Sequence, residues 1–495
     1  MVLSMCTAVF AAGKTTSVPN PDDAAQVTIN GLETGVTIKA YQIVDGVYTD
    51  NGFTGFTWTA LAKNKGTTAV FDEDGNLNLT QKDLTDIVKT IKNDTAHETF
   101  KLDGDNKSID ENNKPKKLTV GTWLLLVNGG KKVYNPMVVS VYYATDDGTV
   151  TGGRLEAGED WKLVGGVTYA KETDITIDKV ADKDTAAHGE DVEFTITGVI
   201  PSYSAEYTDV TYTISDTLKN LELKEAPVVK LAGTQIDAKN YTYSKTDTGF
   251  TIAFKSDYIK GLANKTDVER KVTVTYTAIV TADATTWNPA KNEARVDYTN
   301  NPDGKTTYKE TKTKTYTFDI DGQILKVDET GEKPLPGATF TLYKEYNPAD
   351  KTVSNEIASY KTLTEGKIIF KGLAAGTYYL KETEAPASYT LNTTIYEITI
   401  TPKYTEVTKN NEEGKKELES YSVTVKEAGS TAEGETGTYT EGSAISKLID
   451  IQNTKVGQLP STGGMGTYIF TIAGVVLMAC AAGAFIISRK KSSEE

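Results

Sequence analysis

The chain has 495 residues, a formal net charge of −15 and two cysteines, Cys6 and Cys480. Nucleic acids and anionic lipid surfaces are bound by basic patches, so the acidic balance argues against both as partners. The two histidines, His97 and His188, are too few for a typical histidine-based metal site or catalytic triad, and no cofactor is expected.

The chain begins with an apolar run that is too short to cross a membrane. Residues 2–12 read VLSMCTAVFAA and end in small residues, which is typical of a secretory signal. We therefore predict a signal peptide over residues 1–12, truncated at its N-terminus because the usual basic residues are missing. Both cysteines lie in terminal apolar segments, so the exported part of the chain is expected to have no disulfide.

The remaining ectodomain of about 450 residues is long enough for three domains. Threonine-rich alternating segments, separated by Asp-Gly, Asn-Gly and Asn-Pro turns, are typical of antiparallel β-sandwiches. We predict a mainly β chain of tandem immunoglobulin-like sandwich domains over residues 24–170, 171–315 and 320–456.

One short helix is predicted, and it lies in the first domain. Leu84, Ile87, Val88 and Ile91 recur at helical spacing. Thr80 precedes them and is a residue type that caps the N-terminus of a helix.

The first predicted domain ends in WKLVGGVTYAKE, residues 161–172. This segment resembles the pilin motif, about WxxxVxVYPKN, of pilins that a class C sortase polymerises. The equivalent residues are Trp161, Val167, Tyr169 and Lys171, whereas Ala170 replaces the proline and Lys171 lies one residue further from the tryptophan. The resemblance implies that Lys171 is the amine that receives the next subunit. A simple hinge lysine is the alternative, and Lys162 and the pair Lys131 and Lys132 are other candidate acceptors.

The second and third predicted domains share a plan in which an early strand carries a lysine and a late strand an asparagine. Because alternate residues of a strand face the same way, these polar residues share a face with apolar neighbours. We therefore predict three polar side chains in each interior. They are Lys179, Asp216 and Asn292 in the second domain, and Lys326, Glu382 and Asn453 in the third.

Burial penalises charge, so a buried lysine loses its proton more easily and a buried carboxyl keeps its proton longer. A neutral amine is a nucleophile, and a neutral acid can donate to the asparagine carbonyl and shuttle protons. Each set therefore has the groups needed to form a Lys–Asn amide with loss of ammonia. The alternative is an ion pair of lysine and carboxylate beside a hydrogen-bonded asparagine.

Two segments carry a family resemblance for these domains. YYLKETEAPASY, residues 378–389, resembles the E-box of Gram-positive pilins and Cna-B-type domains, about YxLxETxAPxGY, with Ser388 in place of glycine. YTISDTLKNLEL, residues 212–223, resembles a DTLxxGL segment of SpaA-type backbone pilins, with Asn220 in place of glycine.

This resemblance implies two intramolecular isopeptide bonds. The first joins Lys179 to Asn292 with Asp216 as catalyst. The second joins Lys326 to Asn453 with Glu382 as catalyst. The first domain has no E-box, and whether it has a bond of its own is left open.

The C-terminal region contains LPSTG, formed by Leu459, Pro460, Ser461, Thr462 and Gly463. The uncharged residues 467–487 follow, and a helix of that length crosses a hydrocarbon core. Basic residues then keep the tail, 488–495, in the cytoplasm. This order resembles the cell-wall sorting signal read by sortases, which implies cleavage after the threonine and its transfer to an amine. An ordinary membrane anchor is the alternative.

Together the resemblances imply the major (backbone) subunit of a sortase-assembled covalent pilus on a Gram-positive cell. In it, Thr462 joins Lys171 of the next subunit. The implied partners are a class C pilin sortase, a housekeeping sortase, other copies of the chain, minor pilins and peptidoglycan. A host surface ligand is left open.

The main alternative is a monomeric wall-anchored adhesin, or a minor pilin, built from the same domains. A surface hydrolase is disfavoured because the sequence contains no GxSxG and no HExxH. We expect no enzymatic activity beyond the self-modification described above.

Overall fold

The computed structural model describes residues 17–457, apart from residues 72–76, 78, 92–93, 146–153, 157, 206, 301–305 and 407–414. Strands dominate the described residues and surround three hydrophobic cores. The prediction of a mainly β chain of tandem sandwich domains is therefore confirmed. The exact domain limits remain those predicted from the sequence.

The first core is enclosed by strands between Ala24 and Thr173. The strands are Ala24–Ala25 (β1), Thr28–Asn30 (β2), Thr37–Thr49 (β3), Gly52–Trp58 (β4), Thr68–Ala69 (β5), Glu98–Leu102 (β6), Ser108–Ile109 (β7), Leu118–Thr119 (β8), Gly121–Asn128 (β9), Val133–Tyr134 (β10), Met137–Ala144 (β11), Leu155–Glu156 (β12), Lys162–Gly165 (β13), Val167–Tyr169 (β14) and Glu172–Thr173 (β15). The main sheet has the order β12-β4-β3-β9-β11-β13.

The predicted helix is present as Gln81–Ile91 (α1). Thr80 Oγ1 accepts a hydrogen bond from the Asp83 backbone N–H at 3.1 Å, and Asp83 Oδ2 accepts one from the Thr80 N–H at 2.9 Å. This reciprocal cap satisfies two backbone donors at the start of the helix. The four apolar residues at helical spacing are all buried against the first core.

The second core lies between two sheets. The strands are Ile177–Ala181 (β16), Asp191–Val199 (β17), Tyr212–Lys219 (β18), Leu221–Leu223 (β19), Val228–Leu231 (β20), Thr234–Gln235 (β21), Tyr241–Thr246 (β22), Gly249–Phe254 (β23), Lys271–Val280 (β24), Ala290–Thr299 (β25) and Thr306–Thr315 (β26). One sheet has the order β16-β17-β24-β20-β21 and the other β22-β23-β18-β25-β26. A short helix, Ser256–Gly261 (α2), was not predicted from the sequence.

The third core also lies between two sheets. The strands are Phe318–Asp328 (β27), Thr339–Asn347 (β28), Thr352–Lys361 (β29), Lys367–Leu373 (β30), Gly376–Glu384 (β31), Ile395–Glu406 (β32), Lys416–Glu427 (β33), Glu435–Tyr439 (β34) and Ile449–Asn453 (β35). The small sheet has the order β30-β27-β35, and its strands β27 and β35 are parallel. The large sheet has the order β29-β28-β31-β32-β33-β34. The first and last strands of this unit are therefore neighbours.

Four predicted segments lie outside the described residues. They are the signal peptide (1–12), the LPSTG motif (459–463), the apolar helix (467–487) and the tail (488–495). Among the helices that the structure describes, none is long and apolar enough to cross a membrane.

Candidate functional site

The six polar side chains predicted to face the interiors are all buried. Each is at most 3% exposed to solvent: Lys179, Asp216, Asn292, Lys326, Glu382 and Asn453. The structure brings them together as two separate groups, one in the second core and one in the third.

In the second core the group joins two sheets. Lys179 lies on β16 of one sheet, whereas Asp216 on β18 and Asn292 on β25 lie on neighbouring strands of the other. Strict alternation along β18 and β25 turns the two polar side chains inward with their apolar neighbours. Lys179 Nζ contacts Asp216 Oδ2 directly. An amide from Lys179 to Asn292 would therefore tie the two sheets together.

A fourth polar residue, Tyr276 on β24, completes this group. Its hydroxyl accepts hydrogen bonds from Lys179 Nζ at 2.5 Å and from Asn292 Nδ2 at 2.8 Å. It donates to Asp216 Oδ1 at 2.8 Å. The Tyr276 hydroxyl thus contacts all three residues that the sequence singled out.

In the third core the acid contacts the asparagine without an intermediary. Asn453 Nδ2 lies 2.9 Å from both Oε1 and Oε2 of Glu382. Glu382 Oε2 also accepts a hydrogen bond from the Asn392 backbone N–H at 2.6 Å, which fixes the carboxyl. Lys326 on β27 donates to the carbonyl oxygen of Ile451, which lies opposite it on β35. Asn453 follows two residues later on the same strand, so lysine and asparagine are close in the ladder.

Burial sets the ionisation of both groups. It lowers the pKa of Lys179 to about 8 and the pKa of Lys326 to about 8, because the charged ammonium loses its water. It raises the pKa of Asp216 and the pKa of Glu382, because a charged carboxylate also loses its water on burial. Both shifts favour a neutral amine beside a neutral acid, which is the state that amide formation requires.

The two asparagines share a further property. The side-chain oxygens of Asn292 and Asn453 are buried and have no hydrogen-bond partner among the residues that the structure describes. A buried carbonyl oxygen without a partner costs about 1–3 kcal/mol in the folded chain. Each amide carbonyl is therefore poorly stabilised before any reaction.

Lys171, the predicted acceptor, lies between β14 and β15 at the boundary of the first and second cores. It is exposed, as is Tyr169 two residues earlier. Its backbone oxygen accepts a hydrogen bond from the Asn135 N–H at 2.9 Å. The main chain of this exposed lysine is thus fixed by a hydrogen bond from the first domain.

The N-terminal segment of the described chain runs beside the strand that leads to Lys171. Trp161 Nε1 donates to the Ser17 carbonyl at 2.9 Å. Strand β14 pairs in parallel with β2, and the Ala170 N–H donates to the Asn30 carbonyl at 2.8 Å. Residues 17–30 therefore contact the pilin-like segment from its tryptophan to the residue before its lysine.

Two segments of the chain match known family models. Residues 321–413 match a family model described as the SpaA prealbumin-like fold domain, and residues 451–494 match the LPXTG cell wall anchor motif. The chain carries a SpaA-type domain and a cell-wall anchor. The predicted E-box residue Glu382 lies inside the SpaA-type domain. The predicted location at the cell wall is confirmed by the anchor match.

Relatives cover nearly the whole chain. The chain is 26% identical to the "Trypsin-resistant surface T6 protein" of Streptococcus pyogenes over 562 aligned residues, which cover 98% of each chain. The solved T6 backbone pilin of serotype M6 Streptococcus pyogenes has a TM-score of 0.59 at 21% identity, covering 89% of this chain and all of that chain. The full-length major pilin SpaD of Corynebacterium diphtheriae has a TM-score of 0.50 at 17% identity, covering 90% and 100%. These two structures share the fold over about nine tenths of this chain.

Sequence reasoning missed Tyr276. In KVTVTYTAIV it shares a face with Val272, Val274 and Ala278, and nothing distinguishes it from an ordinary core tyrosine. The available signal was its hydroxyl, because a tyrosine on a buried face usually finds a hydrogen-bond partner. The three polar side chains predicted in the same interior, Lys179, Asp216 and Asn292, offered such a partner.

Proposed function

We propose that the chain is the major subunit of a sortase-assembled covalent pilus. In this polymer the Thr462 carbonyl of one subunit forms an amide with Lys171 of the next. The second and third domains carry intramolecular amides, Lys179–Asn292 and Lys326–Asn453. Asp216 and Glu382 act as the acids in these two reactions.

The observation that carries the proposal is the order along the chain of an exposed lysine, two domains and the sorting motif. Lys171 precedes the second core, whereas LPSTG follows the third. A bond between them repeats head to tail and does not close on itself, so it builds a filament. Each subunit then adds the length of the second and third domains to the fibre.

The internal bonds suit a subunit that bears tension. β27 and β35 are the first and last strands of the third domain and carry the lysine and the asparagine. An amide between them would carry tension directly from the first strand to the last, so the strands between them would not be pulled apart. By analogy with disulfides, closing a loop on the order of 100 residues also raises the free energy of the denatured state by about 4.7 kcal/mol, because the chain loses conformational entropy.

The polymer is tested by replacing its acceptor. Lys171→Arg keeps the positive charge and removes the primary amine that a sortase uses. Cell-wall extracts of the wild type should give a ladder of high-mass species in denaturing gels, and the variant should give monomer only. The matched control is Lys162→Arg, which removes the neighbouring candidate acceptor and should leave the ladder intact.

Two results would contradict this assignment. A ladder lost with Lys162→Arg and kept with Lys171→Arg would move the acceptor to Lys162. A wild type that gives no ladder although the pilin sortase is present would favour a monomeric wall-anchored adhesin.

The internal bonds are tested by the intact mass of the purified ectodomain. The wild type should weigh two ammonia molecules less than its sequence, and Lys179→Ala or Lys326→Ala should each restore one of them. A wild-type mass equal to the sequence mass would exclude both bonds.

A further inference from the structure

The acids of the two domains reach their asparagines by different routes. Glu382 touches Asn453 Nδ2 directly with both carboxyl oxygens at 2.9 Å. Aspartate is one methylene shorter, and the hydroxyl of Tyr276 lies between Asp216 and Asn292 at 2.8 Å from each. In the second domain the Tyr276 hydroxyl thus lies between the acid and the asparagine, which in the third domain contact each other directly.

We propose that Tyr276 is a catalytic proton relay that couples Asp216 to the departing nitrogen of Asn292. The inference rests on the Lys179–Asn292 bond proposed above. It assigns to the second domain a fourth reacting group that the third domain does not use.

The neutral Lys179 amine attacks Cγ of Asn292, and the new C–N bond forms as the carbonyl becomes a single C–O bond. The attacking nitrogen gives a proton to Asp216 Oδ2, while Asp216 passes its own Oδ1 proton to the Tyr276 oxygen. In the tetrahedral intermediate Nδ2 is an amine nitrogen with an available lone pair, so the Tyr276 hydrogen bonds to Asp216 and Asn292 reverse and Tyr276 gives its hydroxyl proton to Asn292 Nδ2. The Cγ=O double bond then re-forms as the Cγ–Nδ2 bond breaks, ammonia leaves, and Tyr276 and Asp216 are again neutral, with the acid proton now on Oδ2.

The surroundings of Tyr276 suit this role. Burial raises the pKa of Tyr276 far above its ordinary value, so the hydroxyl remains protonated and can pass a proton on. Its ring stacks on Phe194 at 5.5 Å between centroids and meets Phe250 edge-on at 4.9 Å. These contacts hold the ring on apolar neighbours and leave the hydroxyl as its polar end.

The test uses Tyr276→Phe in the full ectodomain, because phenylalanine keeps the ring packing and removes the hydroxyl. The fraction of joined Lys179–Asn292 peptide is followed by mass spectrometry over time after purification. Proton transfer by a positioned group contributes about 10²–10⁴-fold to a rate, so bond formation should slow by about 100-fold or more. The third-domain bond in the same molecule should form as in the wild type, which reports that the chain has folded.

The matched control is Tyr212→Phe. Tyr212 is a fully buried tyrosine of the same core, and its hydroxyl has no hydrogen-bond partner among the described residues. This variant loses a hydroxyl at a similar cost in packing and should form the second-domain bond at the wild-type rate. Equal rates in Tyr276→Phe and Tyr212→Phe would overturn the relay while the cross-link itself stands. A wild type that lacks the Lys179–Asn292 peptide would overturn both.

A second variant tests the distance argument. In Asp216→Glu combined with Tyr276→Phe, the longer acid can contact the amide nitrogen as Glu382 does in the third domain. We expect this double variant to form the bond at least about tenfold faster than Tyr276→Phe alone. A tenfold gain is part of the about 10²–10⁴-fold that a positioned proton-transfer group contributes. A double variant as slow as Tyr276→Phe would contradict the proposal that Tyr276 spans the distance between Asp216 and Asn292.

Discussion

Lys326 has surroundings that favour its uncharged form. It is fully buried, and its amine donates to the Ile451 carbonyl at 2.7 Å. Glu382 opposes the loss of charge, but desolvation is the larger effect and lowers the pKa of Lys326 to about 8. A lysine that stayed charged here would destabilise the third domain, and the proposed amide would remove this buried charge.

This residue gives a pH prediction. In Asn453→Ala the amine has no electrophile and remains titratable, with a pKa of about 8 when folded against 10.5 when unfolded. Between these pH values the unfolded chain binds a proton that the folded chain does not. The free energy of unfolding of the third domain should therefore rise from about pH 8 to about pH 10.5, by up to about 3 kcal/mol.

Denaturant unfolding on either side of this window measures the effect, with the wild type as control. In the wild type Lys326 is an amide under our proposal and does not titrate, so this rise should be missing. A rise in both chains would contradict the amide in the wild type, and a rise in neither would contradict a free, buried Lys326 in the variant.

At the scale of elements, the second and third domains meet through a close main-chain contact. The His188 N–H donates to the Gly372 carbonyl at 2.8 Å, and His188 Nε2 lies 2.9 Å from the Ala284 carbonyl oxygen. Gly372 is the penultimate residue of β30 and has a φ of +65°, and a Cβ there would lie 2.1 Å from Nδ1 of His188. The junction therefore requires glycine both for its backbone and for the space.

Gly372→Ala should loosen this junction. Its control is Gly337→Ala, because Gly337 also has a positive φ, +90°, but a Cβ there would meet no atom within 4 Å. Both variants bear a backbone cost of about 1–2 kcal/mol. Small-angle X-ray scattering of the ectodomain should show a wider range of interdomain arrangements for Gly372→Ala alone. Identical scattering from the two variants would show that the clash with His188 does not control the junction.

Much of this architecture could be predicted from sequence because strand alternation is a local signal. The period of two identified the inward faces that carry Lys179, Asp216 and Asn292. It could not say which residue of another strand faces them, because sheet pairing is long-range. Tyr276 was missed for that reason. The short helix α2 was missed because six residues show little helical periodicity.

Two departures from the family patterns have a backbone explanation that the sequence alone did not reveal. Asn220 and Ser388 stand where the patterns have glycine, and their φ values are +57° and +73°. Asparagine tolerates this left-handed region, and Asn220 Nδ2 also donates to the Asn288 and Pro289 carbonyls. Serine is less suited to it, so Ser388 retains the turn at some cost in strain.

At the scale of the molecule, the proposed bonds form one covalent path along the fibre. Force enters a subunit at Lys171 and leaves at Thr462, with an internal amide in each domain between them. Non-covalent contacts also join the second and third domains. Lys415 beside β33 of the third domain donates to Asp178 Oδ1 at 2.8 Å and to the Lys179 carbonyl at 2.6 Å. The strand that carries the second-domain lysine is thus also held by the third domain.

The most direct test of this path is to identify the peptide that joins two subunits. Polymers released from the wall by a peptidoglycan hydrolase are digested, and branched peptides are sequenced by mass spectrometry. The account predicts a branch in which the Thr462 carboxyl is bonded to Nζ of Lys171. Polymers in which Thr462 is bonded to a different lysine, or chains in which it is bonded to peptidoglycan alone, would contradict it.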